Sequence, residues 1–202
     1  MDDMIETPYF LIHKNILDLN LERMIDAAKS FFIGGFIIGY SYKTNSLPWI
    51  INYFKNNGCY AEVVSDDEYN LGIHNGIEKD HFIYNGIIKS KKSFLEALTN
   101  GCIVNIDSQR EICWLSELDR NREYRIGIRA NFNIESECPG ESQCGDEGGR
   151  FGFCYENGEL EKALKAIRKK GFEPVCLHLH CSSKTRSLNI YRAISKYACI
   201  IA

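Results

Sequence analysis

Short apolar runs alternate with helix-like stretches along this chain, and the same two residues repeatedly mark the hand-over from helix to strand. Asn57-Gly58 leads into Cys59-Tyr60-Ala61-Glu62-Val63-Val64-Ser65. Asn75-Gly76 leads to His81-Phe82-Ile83-Tyr84-Asn85-Gly86, and Asn100-Gly101 into Cys102-Ile103-Val104-Asn105-Ile106-Asp107-Ser108. A glycine just past a helix adopts the left-handed conformation that closes it, so each pair predicts a helix-to-strand turn. Upstream, residues 16–30 carry Leu17, Leu21, Met24, Ile25 and Ala28 at helical spacing, followed by Phe36-Ile37-Ile38-Gly39-Tyr40 as a buried strand. Downstream, strands are expected at residues 124–129 and 173–180. The helix between them has Leu160, Ala163, Leu164 and Ile167 on one face and is closed by Gly171; a last helix spans residues 188–201. About six strand-helix units in strict alternation predict a parallel sheet with helices outside it.

Composition narrows the class. At 202 residues, 45% hydrophobic and 25% charged, the chain has the make-up of an ordinary globular domain and not of a disordered, collagenous or coiled-coil protein. The net charge of -3 leaves no footprint for nucleic acid. Lys89-Ser90-Lys91-Lys92 and Arg168-Lys169-Lys170 read as solvated helix ends. The acidic N-terminus lacks the apolar core of a signal peptide, and the longest apolar run, residues 31–40, holds three glycines and is too short to span a bilayer. Nine cysteines, several of them (Cys59, Cys102, Cys176, Cys199) inside apolar segments, suit free thiols in a reducing cytoplasm better than a disulfide framework.

Six units fit either a doubly wound open sheet or part of an eight-unit barrel. No Gly-x-Gly-x-x-Gly follows the first strand; Gly34-Gly35 precedes it, which removes the main support for a dinucleotide fold. Polar residues favour the barrel: Lys43, Ser65, Asn85, Asp107, Arg129 with Asn131, and His180 with Ser183 fall at or just beyond strand carboxyl ends. In a barrel these ends converge on the active-site face. Asn85 and Asp107, each taken singly, are better explained as strand ends reaching water.

Lys43 follows a strand directly in Tyr40-Ser41-Tyr42-Lys43-Thr44-Asn45. A partly desolvated amine there can form a Schiff base with an aldehyde cofactor, although spacing alone favours a lysine leaving for solvent. His178 and His180 are expected on opposite strand faces or at different depths; a strand-end imidazole can stack on a cofactor ring, and no third ligand points to zinc. The acidic loop at residues 134–149, with Cys138 and Cys144, has neither zinc nor calcium spacing and reads as a mobile active-site or interface loop.

Taken in order, these segments resemble the barrel of the fold-type III pyridoxal-phosphate decarboxylases, the diaminopimelate, ornithine and arginine decarboxylases related to alanine racemase. Thr7-Pro8-Tyr9-Phe10-Leu11-Ile12 resembles the family's opening segment, and Tyr40-Ser41-Tyr42-Lys43-Thr44-Asn45 its Tyr-Ala-Val-Lys-Ala-Asn. Ala61-Glu62-Val63-Val64-Ser65-Asp66-Asp67-Glu68, Tyr84-Asn85-Gly86 with Lys89, Asp107-Ser108, Arg129-Ala130-Asn131, Arg150-Phe151-Gly152 and His178-Leu179-His180-Cys181-Ser182-Ser183 have counterparts in the same order.

The resemblance implies a partial (β/α)8 barrel of the alanine racemase-like type and decarboxylation of an amino acid by pyridoxal 5'-phosphate held as a Schiff base on Lys43. By the same resemblance His180 stacks on the cofactor ring, Ser183 lies near its phosphate, Arg129 sits on the ring hydroxyl side, and Glu62 replaces the family's aspartate near the lysine. The family's seventh and eighth strands, glycine-rich phosphate loop and β-rich second domain have no counterpart here. Residues 1–202 are therefore expected to form a cofactor-binding barrel domain in which residues 1–14 lead into a sheet outside it. The family is homodimeric with shared sites, so a homo-oligomer or a complementing chain is implied, and the isolated chain is expected to be inactive. Alternatives are a non-catalytic pyridoxal-phosphate carrier and an inactive remnant that pairs with a full-length decarboxylase. The expected partner is a small-molecule amino-acid substrate, with no nucleic acid, membrane or metal, in the cytoplasm.

Overall fold

The computed structural model describes residues 8–140, 151–181 and 187–202. It divides into two compact units, Met1–Ile38 and Gly39–Ala202. In the first, residues 8–13 are irregular and exposed, and helix α1 (Lys14–Phe31) follows, with Leu21 buried and Lys14 paired to Asp18 one turn on. Phe36 and Ile37 are exposed and outside any strand, contrary to the expected buried strand, which is confined to Gly39–Ser41. Apolarity alone does not make a strand: pairing begins only where Gly39 faces Tyr60 of the neighbouring strand.

The second unit is a parallel sheet with helices. Its elements run β1 (Gly39–Ser41), α2 (Pro48–Asn56), β2 (Tyr60–Val63), α3 (Asp66–His74), β3 (Phe82–Tyr84), α4 (Lys91–Thr99), β4 (Ile103–Ile106), α5 (Gln109–Trp114), β5 (Ile126–Asn131), β6 (Phe153–Cys154), α6 (Glu159–Lys169), β7 (Cys176–Leu179) and α7 (Leu188–Ile201). Each strand from β1 to β5 pairs with the next, and β7 pairs with β5 over Gly127–Ala130. Ala130 pairs with both β6 and β7, so the two-residue β6 lies on the β4 side of β5, beyond the end of β4. A doubly wound sheet starts in the middle and grows both ways. Here β1 is an edge and strands are added in one direction, the order of a barrel wall.

The glycine stops, three Asn-Gly pairs and Lys170-Gly171, are formed as expected. Gly58, Gly76, Gly101 and Gly171 all have left-handed backbone (φ 76, 70, 87 and 91°). In each case the next residue's amide reaches back to close the helix: Cys59 to Phe54, Ile77 to Gly72, Cys102 to Ala97 and Phe172 to Ile167. These four following residues are buried, so one turn both stops the helix and plants the first core residue of the next stretch.

Strand alternation then separates two chemistries. Ala61, Val63, Phe82, Tyr84, Val104, Ile106, Ile126, Ile128 and Ala130 belong to one core with Ile51, Tyr69, Phe94, Leu98, Ile112 and Ile167 of the helices. The alternate residues, Ser41, Glu62, Asn85, Asn105, Arg129 and His178, occupy the other face, where a barrel has its interior. A second small cluster joins Phe132, Ile134 and Cys138 to Ile190 and Ala193 of α7, so the start of the loop expected to be mobile is packed; residues 141–149 of it, with Cys144, lie outside the described residues. Cys59 and Cys102 are buried thiols as expected, whereas Cys199 is exposed; no disulfide forms among the described residues. No described helix is long and apolar enough to cross a membrane.

Candidate active site

The turn carrying Lys43 is fixed on both sides. The Tyr42 amide donates to the Glu62 carbonyl (3.0 Å) and the Thr44 amide to the Ser41 carbonyl (3.2 Å). Tyr40 stacks on Phe54 at 3.9 Å and donates its hydroxyl to the Asn45 carbonyl (2.9 Å). Tyr40 and Tyr42 belong with the helix-side core, which turns Ser41 and Lys43 to the inside. Lys43 is exposed at the mouth of a cavity of about 720 Å³, without the expected partial burial, and its ammonium makes no hydrogen bond to a described residue.

Along β2, β3 and β4 the inner face carries a row of polar side chains. Asn105 donates its amide to Asn85 (2.6 Å), and Asn85 donates to Glu62 Oε1 (2.7 Å). Glu62 lines the cavity. Further along, Asp107 accepts from Arg129 (3.0 Å) and from the Gly152 amide (2.9 Å), while the Arg129 guanidinium lies 5.1 Å from the Phe151 ring centre. Gly152 has φ 77°, and a β-carbon there would come within 2.5 Å of the Arg129 carbonyl oxygen, so glycine lets this segment close over Arg129. Asn85 and Asp107 are only 8% exposed, which corrects the view that they simply reach water: both are internal and hydrogen-bonded.

Lys89 is a second correction. Far from being a solvated helix end, its side chain is fully buried, paired with the equally buried Glu111 (3.0 Å) and bonded to the Gly86 carbonyl. Glu111 Oε2 in turn accepts from the Asp107 amide (2.6 Å). Glu68 repeats that reach-back, accepting from the Val64 amide (2.8 Å) while its own amide donates to the Ser65 hydroxyl that caps the helix. Desolvation pulls the Lys89 ammonium below the usual lysine range and pushes Glu111 above the usual carboxylate range, each opposed by the partner's charge.

His178 and His180 both face the cavity at different depths, because residues two apart on a strand share a face; the expectation of opposite faces fails while that of different depths holds. Burial, then the charges of Arg129, His180, Lys89 and Lys43, lower His178 to about 3. Burial, followed by Lys43 and Arg129, lowers His180 to about 4, with Glu62 acting the other way. Both rings are therefore neutral at neutral pH.

Four of the five residues singled out from the sequence, Lys43, Glu62, Arg129 and His180, thus line one cavity. Ser183 lies outside the described residues. Sequence reasoning missed Asn105 and the ion pair of Lys89 with Glu111. A lone asparagine in the centre of an apolar strand was the available signal for the first. Nothing in spacing signals the second.

The donor set suits a planar aldehyde such as pyridoxal phosphate: an accessible amine, a neutral flat imidazole and a held guanidinium, with Ile87, Phe151 and Ile190 as apolar wall. Two buried polar atoms of cavity-lining residues, Ser41 Oγ and His178 Nδ1, have no hydrogen-bond partner among the described residues, which fits a site that takes a polar ligand.

Known proteins are similar to this chain in sequence and fold. Diaminopimelate decarboxylase of Archaeoglobus fulgidus is 27% identical over 185 residues, covering 91% of this chain and 43% of its own length. The crystal structure of diaminopimelate decarboxylase from Helicobacter pylori complexed with L-lysine aligns with a TM-score of 0.78 at 25% identity, covering 98% of this chain and 50% of that one. That from M. jannaschii, in co-complex with L-lysine, has the same fold (TM-score 0.80, 22% identity, 94% and 46% covered). The chain spans less than half the length of the curated relatives it matches. Residues 19–202 match the model of the pyridoxal binding domain of pyridoxal-dependent decarboxylases, with pyridoxal 5'-phosphate as the implied cofactor, and the chain belongs to that family.

Proposed function

We propose that this chain provides the cofactor-holding barrel of an amino-acid decarboxylase, with Lys43 as the residue that carries pyridoxal phosphate. The observation behind this reading is the convergence of Lys43, Glu62, Arg129 and His180 on one cavity at the carboxyl ends of parallel strands. When bound, the cofactor supplies an electron sink for the carbon that loses carbon dioxide. The chain's own part is to hold and orient. Lys43 stands at the mouth on a turn fixed by Tyr40 and Tyr42, free to bond and to transfer a proton at Nζ. His180, neutral and planar, offers its face to an aromatic ring. Arg129 is held by Asp107 and Phe151 with further N–H groups available to a ring oxygen. Neutral His178 and His180 add no positive charge beside Lys43. Diaminopimelate, the substrate named for the relatives above, is the first amino acid to assay; ornithine and arginine follow.

Borohydride reduction of the protein with added pyridoxal phosphate, followed by peptide mass mapping, tests the reading. One cofactor on Lys43, lost in Lys43→Ala, is expected. Labelling scattered over surface lysines and unchanged in the variant would sink it.

A further inference from the structure

The inner face of the sheet holds a hydrogen-bonded chain whose polarity is fixed by chemistry. Glu62, as a carboxylate, only accepts, so the group Asn85 presents to it at 2.7 Å must be its NH2. Asn85 Oδ1 then faces Asn105 and demands that residue's NH2, found at 2.6 Å. Asn105 Oδ1 is left over. It is buried without a partner among the described residues and lies 1.8 Å from where a β-carbon on residue 127 would stand. Gly127 therefore provides the space in which the orphaned oxygen sits; any side chain there would drive Asn105 from its place. Asn85 and Asn105 are 8% and 3% exposed, whereas Glu62 lines the cavity and its Oε2 bonds no described residue. A chain that ends on an unsatisfied oxygen at one end and a ligand-facing carboxylate at the other orders the carboxylate, not the core, because an apolar row would pack β4 and β3 without an orphan.

We propose that Asn85 and Asn105, with Gly127 as their seat, are positioning residues that lock Glu62 with one oxygen engaged and the other turned to a hydrogen-bond donor on the bound ligand. The inference rests on the proposed cofactor cavity but is testable without it. In Asn105→Asp, an acceptor faces Asn85 Oδ1; Asn85 must flip and then aims an oxygen at Glu62. In Asn85→Asp, two carboxylates meet directly. Glu62→Gln cures both, because its amide can supply the missing NH2: with N105D the chain's direction reverses, and with N85D the carboxylate at position 85 accepts from both neighbours.

The experiment is thermal melting of the cofactor-free chain for N105D, N85D, E62Q and the two doubles, beside titration of each with pyridoxal phosphate followed by absorbance. Each Asp variant is expected to melt below the parent, and each double with E62Q to melt above its Asp parent. Recovery of folding by E62Q where an Asp variant does not fold counts the same way. Losses in the doubles equal to or larger than the sum of the single losses would overturn the proposal, since a purely packing role gains nothing from the added amide of E62Q. In the titration, N105D is expected to weaken cofactor binding by about tenfold or more, the scale of one misdirected hydrogen bond to a charged group. Failure of the unmodified chain to bind cofactor, with the melting cycle intact, would refute the functional reading and leave the hydrogen-bonded chain standing.

Discussion

Two lysines sit just past the carboxyl ends of parallel strands, and they have opposite fates. Lys89, after β3, is fully buried, with its ammonium shared between Glu111 and the Gly86 carbonyl and its charge 5.8 Å from the Tyr84 ring centre. Lys43, after β1, is exposed at the cavity mouth and bonds no described residue, while the turn beneath it is pinned. A charge is tolerated away from water when it is paired and hydrogen-bonded, and a buried amine held in that way is closed to a ligand. The same residue type thus serves as a rivet in one place and stands unbonded to any described residue in the other; in the function proposed above, backbone order, not side-chain order, prepares Lys43.

The contrast breaks most visibly at the rivet. Glu111→Ala leaves a buried ammonium unpaired and should destabilise the chain by about 3–5 kcal/mol in urea denaturation. Replacing the pair together, Lys89→Met with Glu111→Leu, should restore most of it; a single-variant loss below about 1 kcal/mol would mean that Lys89 simply finds water. Next is the loop that Lys89 ties down. Gly86 has φ 93°, and a β-carbon would stand 2.1 Å from the Val64 carbonyl oxygen, so Gly86→Ala should cost about 1–3 kcal/mol by thermal melting, with a near-neutral effect counting against the described geometry.

A pH series sharpens the cavity side. His178 is held down to about 3 in the fold, whereas an unfolded histidine takes its proton near its ordinary value of 6.5. Below that ordinary value the unfolded state binds more protons, so this contribution to stability is present above about pH 6.5 and is lost as the pH falls towards 3. The melting temperature of His178→Gln should therefore fall less steeply than the parent's between pH 6.5 and 4, and parallel curves would refute the shift. Smallest in stability, Lys43→Ala should stay within about 0.5 kcal/mol of the parent while abolishing borohydride trapping; a large loss would show Lys43 to be a second rivet.

Much of this was legible in residues. The four glycine stops, the helices between them, Lys43 beyond its strand and the ordered motifs from Tyr40 to Cys181 could be read directly, because caps and strand alternation are local. What escaped reading depended on neighbours. Phe36-Ile37-Ile38 has a strand's apolarity but finds no paired neighbour, and Lys89 has the look of a solvated lysine because Glu111, 22 positions away, cannot be seen from it. Asn105 belongs to both classes: its place in an apolar strand was visible, but not that Gly127 opposite would leave room for its oxygen.

By itself, then, the sequence determined where helices stop, which strand residues alternate and which family's motifs the chain carries, since these depend on φ preferences and short-range spacing. Tertiary structure alone decided which of two lysines is buried in an ion pair, how deep each of the two histidines lies, and that Asn105, Asn85 and Glu62 join in one hydrogen-bonded row. Burial, hydrogen-bond polarity and desolvation arise only when residues distant in the chain are brought within 3 Å of one another.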